Sequence, residues 1–355
     1  MPDLKQKLWA IGGGKGGVGK SVVTLMLGTS LARRGLRVIV ADADLGGANL
    51  HTLLGIRHPL YTLADFMSRR CESMADVALA TPVDNLKLIS GADDILGIAN
   101  SKFSQRSRIL SNLEKLEADV ILLDLGAGTS SSTIDFFLYC PGKIVVLSPH
   151  VTSVQNAYGF IKTSVYRRLA RAFAKDDAAI ALIQPTVSSG LDRLDSIGEL
   201  RGAMHRLAGD RQQVLDACLE EIKIDLLVNM ARSAKEREVG QVVRSVAEKY
   251  LELSLDYLGF VNYDPELERS INHMATFLTT GANSIARSCM YDIATKILRR
   301  VQGEQTTPAA APGPQSGSAG GPQVAAQPTA AAAQSATEPP ATAAKPAALP
   351  SCAEG

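Results

Sequence analysis

Residues Gly14-Lys15-Gly16-Gly17-Val18-Gly19-Lys20-Ser21 follow the spacing G-x-x-x-x-G-K-[ST]. The apolar run Leu8-Trp9-Ala10-Ile11 precedes them, and a helical pattern from Ser21 to Arg34, closed by Gly35, follows. A loop of this kind works only when a strand delivers it and a helix leaves it. Successive glycines turn backbone N–H groups onto phosphate oxygens, and the helix N-terminus adds its positive dipole end. That requirement already directs the chain toward an α/β fold. In such a loop Lys20 reaches the terminal phosphates of a nucleotide and the Ser21 hydroxyl can ligate Mg2+.

Short apolar runs recur at Leu8 to Ile11, Val38 to Val40, Leu86 to Ile89, Val120 to Leu123, Ile144 to Leu147, Ala179 to Ile183 and Asp225 to Val228. They are continuous rather than alternating, the pattern of strands buried on both faces. Helical stretches lie between them: Ser21 to Arg34, Gln105 to Glu117, Thr152 to Ala174, Asp192 to Glu221 and Ala234 to Leu251. The alternation predicts a doubly wound α/β fold, a mostly parallel sheet with helices on both faces. The connection from Val187 to Ile222 reads as an inserted or elaborated helix pair.

Composition changes after Val301. Residues 302–355 hold nine of the sixteen prolines, only Glu304, Glu338, Lys345 and Glu354 as charged residues, and no aromatic side chain. Such a segment buries too little apolar area to offset the entropy of ordering it. The expected organisation is one folded domain over residues 1–301 and a disordered Ala/Pro-rich tail over 302–355. The domain carries 36 bases and 33 acids, a net charge of +3, which disfavours a nucleic-acid partner. Cys71, Cys140, Cys218, Cys289 and Cys352 are scattered without a C-x-x-C pair, so neither a disulfide framework nor a structural zinc site is expected. No run approaches the roughly 20 apolar residues of a spanning helix, and a cytoplasmic location is expected.

Further candidates stand at strand ends, where α/β sheets bind ligands. Asp42 and Asp44 close the second run, and their i, i+2 spacing points both carboxylates the same way. One can orient a Mg2+ water and the other the attacking water; capping the next helix is the other use of such a pair. The fourth run ends at Asp124, followed by Leu125-Gly126-Ala127-Gly128-Thr129. An aspartate there holds Mg2+ through a water or the Ser21 hydroxyl, and Gly126 and Gly128 free the backbone to move with a γ-phosphate. Asn229 offers the donor and acceptor that an adenine edge requires, or serves as a strand-end turn residue.

Lys15 is a second lysine that phosphate cradling does not require. In this the chain resembles the deviant Walker A ATPases of the MinD/ParA family of P-loop NTPases, whose K-G-G-V-G-K-[ST] motif stands here as Lys15 to Ser21. The resemblance covers about Leu8 to Val301. It implies ATP and Mg2+ as cofactors, with Gly14, Lys15, Gly16, Gly17, Val18, Gly19, Lys20 and Ser21 around the phosphates. It also implies an ATP-dependent homodimer in which Lys15 reaches the partner's phosphates. Asp44 then positions the hydrolytic water, and Asp42 helps at a metal held by Ser21 and Asp124. Asn229 contacts the base, and the loop Asp264-Pro265-Glu266 packs over it through Pro265. Lys15, Lys20 and Asp44 are thus the expected catalytic set.

A narrower likeness, carried by Asp124 to Thr129, Asp135-Phe136-Phe137 and Ser148 to Tyr158, is to the FlhG/FleN branch, which sets flagellar number and placement. That branch usually has Glu-Pro where this chain has His150-Val151. Nitrogenase-type reductases need a cysteine where Thr129-Ser130-Ser131-Ser132 stands, and Mrp-type iron–sulfur carriers need the missing C-x-x-C pair. Amidoligases related to cobyrinate synthase usually add a glutamine-hydrolysing domain. A ParA-type nucleoid binder needs a basic face; Arg167-Arg168-Leu169-Ala170-Arg171 is the candidate, although such a run is more often a solvated helix face.

The last helical pattern places Ile285, Cys289, Ile293, Ile297 and Val301 at spacing four. It fits a final core helix whose terminal cations favour the dipole, or the amphipathic membrane-targeting helix that MinD relatives carry. The implied function is a slow, partner-stimulated ATP hydrolase acting as a positional switch for a flagellum, division site or polar apparatus. Its partners would be an activator or polar landmark protein and, at the periphery, a membrane surface. The alternatives are an ATP-coupled small-molecule enzyme and a ParA-type nucleoid-binding segregation ATPase.

Overall fold

The computed structural model describes residues 7–44, 47–91, 103–188, 196–207, 209–272 and 284–302. Its strands are β1 (Leu8–Gly12), β2 (Val38–Ala43), β3 (Ala78–Ala80), β4 (Leu86–Ile89), β5 (Val120–Leu125), β6 (Gly142–Leu147), β7 (Asp225–Ala231) and β8 (Asp256–Asn262). They form one sheet in the order β3-β4-β2-β5-β1-β6-β7-β8. Every pairing is parallel except β3 with β4. From the central β1 the chain winds to β2 and β4 on one side and to β6, β7 and β8 on the other. The crevice at the carboxyl end of β1 is therefore the place for a ligand.

Inner strands are covered on both sides, so successive residues enter different cores. Leu8, Ala10, Ile39, Ala41, Ile121 and Leu123 belong to one core, and Trp9, Ile11, Val38, Val40, Val120 and Leu122 to the other. This double burial is why the runs read as continuous rather than alternating.

The helices are α1 (Lys20–Ala32), α2 (Leu50–Leu53), α3 (Leu63–Met67), α4 (Met74–Val77), α5 (Phe103–Leu113), α6 (Ser131–Tyr139), α7 (Val151–Ala172), α8 (Asp177–Ser188), α9 (Ile197–His205), α10 (Arg211–Glu221), α11 (Ala234–Arg237), α12 (Val239–Leu251), α13 (Pro265–Asn272) and α14 (Ile285–Val301). Helices α1, α2 and α14 cover the Trp9 face. Helices α3 to α10 and α12 contribute to the other, where Phe137 of α6 and Phe160 of α7 meet edge to face at 4.8 Å.

Some sequence expectations are corrected. Ala179 to Ile183, expected as a strand, is part of α8: Ala179 and Ile183 are buried one turn apart while Ala181 is exposed. Strands β3 and β8 were not anticipated. The helix pair expected between Val187 and Ile222 is present as α9 and α10, with residues 189–195 and 208 outside the described residues. The basic run of α7 is neither a free cationic face nor merely solvated. Arg167 and Arg171 pair with the buried Asp135, and Arg168 pairs with Glu221.

Helix α14 takes the core role. Met290, Ile293, Ala294, Ile297 and Val301 are buried with residues of α1, and Arg34 donates to the Tyr291 carbonyl at 2.7 Å while its guanidinium lies 3.9 Å from that ring's centre. The chain divides into two units, Met1–Thr307 and Pro308–Gly355. The second unit, and the expected tail beyond Gln302, lie outside the described residues. Among the described residues no helix is long and apolar enough to cross a membrane, and Cys71, Cys140, Cys218 and Cys289 are free thiols.

Candidate nucleotide site

Strand β1 ends at Gly12, and residues 13–19 turn from it into α1. The helix starts on Gly19, left-handed at φ 83°, with no side-chain cap. Its first-turn amides therefore lack a side-chain acceptor, which makes a ready anion site. Two close approaches make glycine obligatory here. A Cβ on Gly14 would stand 1.9 Å from the Asn156 carbonyl oxygen of α7, and one on Gly19 would stand 2.4 Å from Asn229 Nδ2. The tip of the loop is open by contrast: Lys15, Gly16 and Gly17 are exposed.

Asn229, 7% exposed near the end of β7, donates from Nδ2 to the Val18 carbonyl at 2.9 Å. Expected at the base, its amide donor is engaged by the loop itself. Pro265 is exposed at the first turn of α13, just past β8. The buried Asp264 before it joins two helix starts: Oδ1 accepts from the Glu266 amide at 3.0 Å, and Oδ2 accepts from the Ser284 hydroxyl at 2.5 Å. The Gly128 amide donates to the Gly13 carbonyl at 3.3 Å, which ties the segment after β5 to the loop.

Asp42 and Asp124 are register partners on β2 and β5, and both are buried. The Asp124 carboxyl is pushed up to about 6 by burial, against the Ser21 hydroxyl, the Lys20 charge and the Thr24 hydroxyl. Thr24 Oγ1 lies 3.2 Å from Asp124 Oδ1 and 2.9 Å from the Lys20 carbonyl oxygen. Burial and the neighbouring Asp124 raise Asp42 to about 7, against three backbone amides. Those amides belong to Asp44 at 3.1 Å, Asn49 at 2.9 Å and Leu50 at 3.0 Å. Asp42 thus holds the following turn and the start of α2, the capping use that the sequence left open. Burial lowers the Lys20 ammonium, while Asp124 and Asp44 act in the opposite direction.

Two buried carboxylates side by side, with Ser21 and Lys20 at hand, fit a Mg2+ ion. That ion takes one or two carboxylates together with the phosphates of its substrate rather than an all-protein cage. The structure brings Lys20, Ser21, Asp42, Asp44 and Asp124 together beyond the carboxyl ends of β1, β2 and β5. Sequence reasoning missed Thr24, whose only signal is its place one turn after Lys20, and Asn156, which acts through its backbone and leaves no side-chain signature.

An uncapped α1 behind a glycine loop, with a buried lysine and paired aspartates at the sheet's switch point, defines a P-loop nucleotide-binding protein. Residues 9–277 match the family described as the CobQ/CobB/MinD/ParA nucleotide binding domain, and the chain belongs to that family. It is similar to the antiactivator FleN of Pseudomonas aeruginosa, 26% identical over 291 residues, which span 81% of this chain and 85% of that protein. The flagellum site-determining protein YlxH of Helicobacter pylori is 35% identical over 166 residues, 44% of this chain and 53% of that protein. The septum site-determining protein MinD of Pyrococcus horikoshii, solved as a complex with Mg-ADP, shares the fold with a TM-score of 0.57 at 19% identity, covering 85% of this chain and 100% of that one.

Proposed function

We propose that the chain is an ATP-dependent dimerising switch, an ATP hydrolase of slow turnover that helps to place a flagellum or a comparable polar structure. The observation that carries this reading is Lys15, exposed on a loop whose own phosphate chemistry is supplied by the buried Lys20 and the uncapped first turn of α1. A lysine there is spare for the loop's own ligand and available to phosphates held by a second copy. Dimer formation then depends on ATP. The names of the similar proteins, an antiactivator and a flagellum site-determining protein, support a flagellar setting.

In this reading Gly14 to Ser21 cradle the phosphates of ATP, and Lys20 neutralises charge on the β- and γ-phosphates. Ser21 and Asp124 are the groups that would hold Mg2+, with Asp42 beside them. The metal, when bound, supplies positive charge to the phosphate oxygens. Thr24 fixes the Asp124 carboxylate. Asp42 pins the turn that carries Asp44, and Asp44 orients the attacking water by accepting one of its hydrogens. Asn229 steadies the loop at Val18 and, with Pro265, borders the base. An activating or polar landmark protein sets the rate at which the switch resets. The protein works in the cytoplasm, and any contact with the membrane is peripheral.

Fluorescently tagged wild type and Asp44→Ala, expressed in cells lacking the native copy, test this reading. Wild type is expected to restore flagellar number, and Asp44→Ala to stay locked at its site. Normal flagella without the protein, or ATP turnover that needs a dissociable small-molecule acceptor, would instead place the chain among ATP-coupled enzymes.

A further inference from the structure

Strand β7 carries one extra residue just before its carboxyl end. Val228 pairs with Phe260 and Ala231 with Asn262, so Asn229 and Met230 together stand opposite Val261. A bulge of this kind re-aims the side chains at and beyond it. Met230 completes it at φ 62°, a left-handed backbone that residues other than glycine seldom adopt. Such a conformation persists where its surroundings fix it, and it marks functional corners of a fold. Here the Tyr263 amide donates to the Ala231 carbonyl at 2.9 Å, which ties the exit of β7 to that of β8. The Arg232 amide donates to Glu236 Oε2 at 2.7 Å, while the Glu236 amide donates to Ser233 Oγ at 3.3 Å at the start of α11.

Beyond the bulge the Arg232 guanidinium lies over the Tyr263 ring, 4.1 Å from its centre. The Tyr263 hydroxyl donates in turn to the Glu268 carboxylate of α13, so the ring is held at both ends. Arg232 is exposed, and among the described residues no carboxylate pairs with its guanidinium. A guanidinium is planar and stacks on π systems with either face. One face is covered by Tyr263 and the other is open. Arg232 stands three residues after Asn229, and Tyr263 two residues before Pro265.

We infer that the purine ring of the bound nucleotide stacks on the open face of Arg232, in a sandwich of base, guanidinium and Tyr263 ring; this rests on Asn229 and Pro265 bordering the base, as proposed above. The phosphate loop then grips one end of the nucleotide and Arg232 the other. Tyr263 and the left-handed Met230 act through Arg232 as positioning residues. Arg232 makes no contact with the phosphates in this arrangement, so it sets affinity and leaves the chemical step alone.

The test is calorimetric titration of the full chain with Mg-ADP and with Mg-tripolyphosphate, which carries no ring. Arg232→Ala should weaken Mg-ADP by about tenfold and bind Mg-tripolyphosphate as the wild type does. Arg232→Lys keeps the charge and loses the plane, and should weaken Mg-ADP nearly as much. Wild-type affinity for Mg-ADP in either variant, or an equal loss for both ligands, overturns the inference. Pro265→Gly, measured alongside, locates the fault: a loss of Mg-ADP affinity there with none in Arg232→Ala removes Arg232 from a base seat that stands, whereas no loss in either moves the seat itself elsewhere.

Discussion

Asp44 leans on the place where Gly126 has no side chain: its Oδ1 lies 2.9 Å from the position that a Cβ on Gly126 would occupy. The carboxylate assigned to the attacking water is therefore seated against the backbone that follows Asp124. A movement of either segment is felt by the other. Gly126→Ala should leave folding and nucleotide affinity intact, since Asp44 can swing aside. It should slow ATP hydrolysis by about 100-fold, the usual cost of a misplaced catalytic group. Single-turnover hydrolysis at saturating ATP measures this, and a wild-type rate would show that the seat does not matter.

Binding and chemistry separate at two other positions. Lys20→Ala should abolish nucleotide binding, because it removes the cation proposed to neutralise the β- and γ-phosphates. Asp44→Ala should bind ATP normally, remain dimeric and hydrolyse at least about 100-fold more slowly. Fluorescent-nucleotide titration paired with phosphate release distinguishes the two. Wild-type turnover in Asp44→Ala would move the catalytic role elsewhere.

Asn229→Ala should act on the loop from beneath. It leaves the buried Val18 carbonyl without the donor that now reaches it at 2.9 Å, at a cost of about 1–3 kcal/mol. Urea unfolding should report that loss, and nucleotide affinity should fall with it. Loss of affinity with stability unchanged would mean that the side chain serves the base alone.

Asp225, at the start of β7, is pushed by burial from 3.8 up to about 6 despite its pairing with Arg300 of α14. Between those values the folded chain holds a proton here that the unfolded chain has released. The penalty of burying the charge is thus absent at low pH, grows as pH rises, and is complete above about 6. Stability of the wild type relative to Asp225→Asn should fall between about pH 4 and pH 6, by at most about 1.4 kcal/mol per pH unit. Urea unfolding across that range checks it. A rising relative stability would mean that the Arg300 pairing outweighs burial.

The inner strands were legible because burial on both faces leaves continuous apolar runs. Strand β8 was not, because Gly259 at φ 144° and the register shifts against β7 break any simple period. Ala179 to Ile183 misled for the opposite reason: a five-residue apolar run looks the same in a strand and in one buried face of a helix. At the site, the residue types and strand ends could be read directly. The bond from Asn229 to Val18 could not, since its partners stand 211 positions apart. The backbone bonds of Asp42 were equally hidden, because the register of the following turn decides between a cap and an open carboxylate.

The central claim is that Lys15 makes nucleotide binding and dimerisation a single event, and multi-angle light scattering with Mg-ATP and with Mg-ADP tests it most directly. Wild type should show twice the chain mass with Mg-ATP and the single-chain mass with Mg-ADP. Lys15→Gln should bind ATP through Lys20 and the loop amides yet stay at the single-chain mass. An equal mass for the wild type in both nucleotides, or an ATP-driven dimer of Lys15→Gln, would contradict the account.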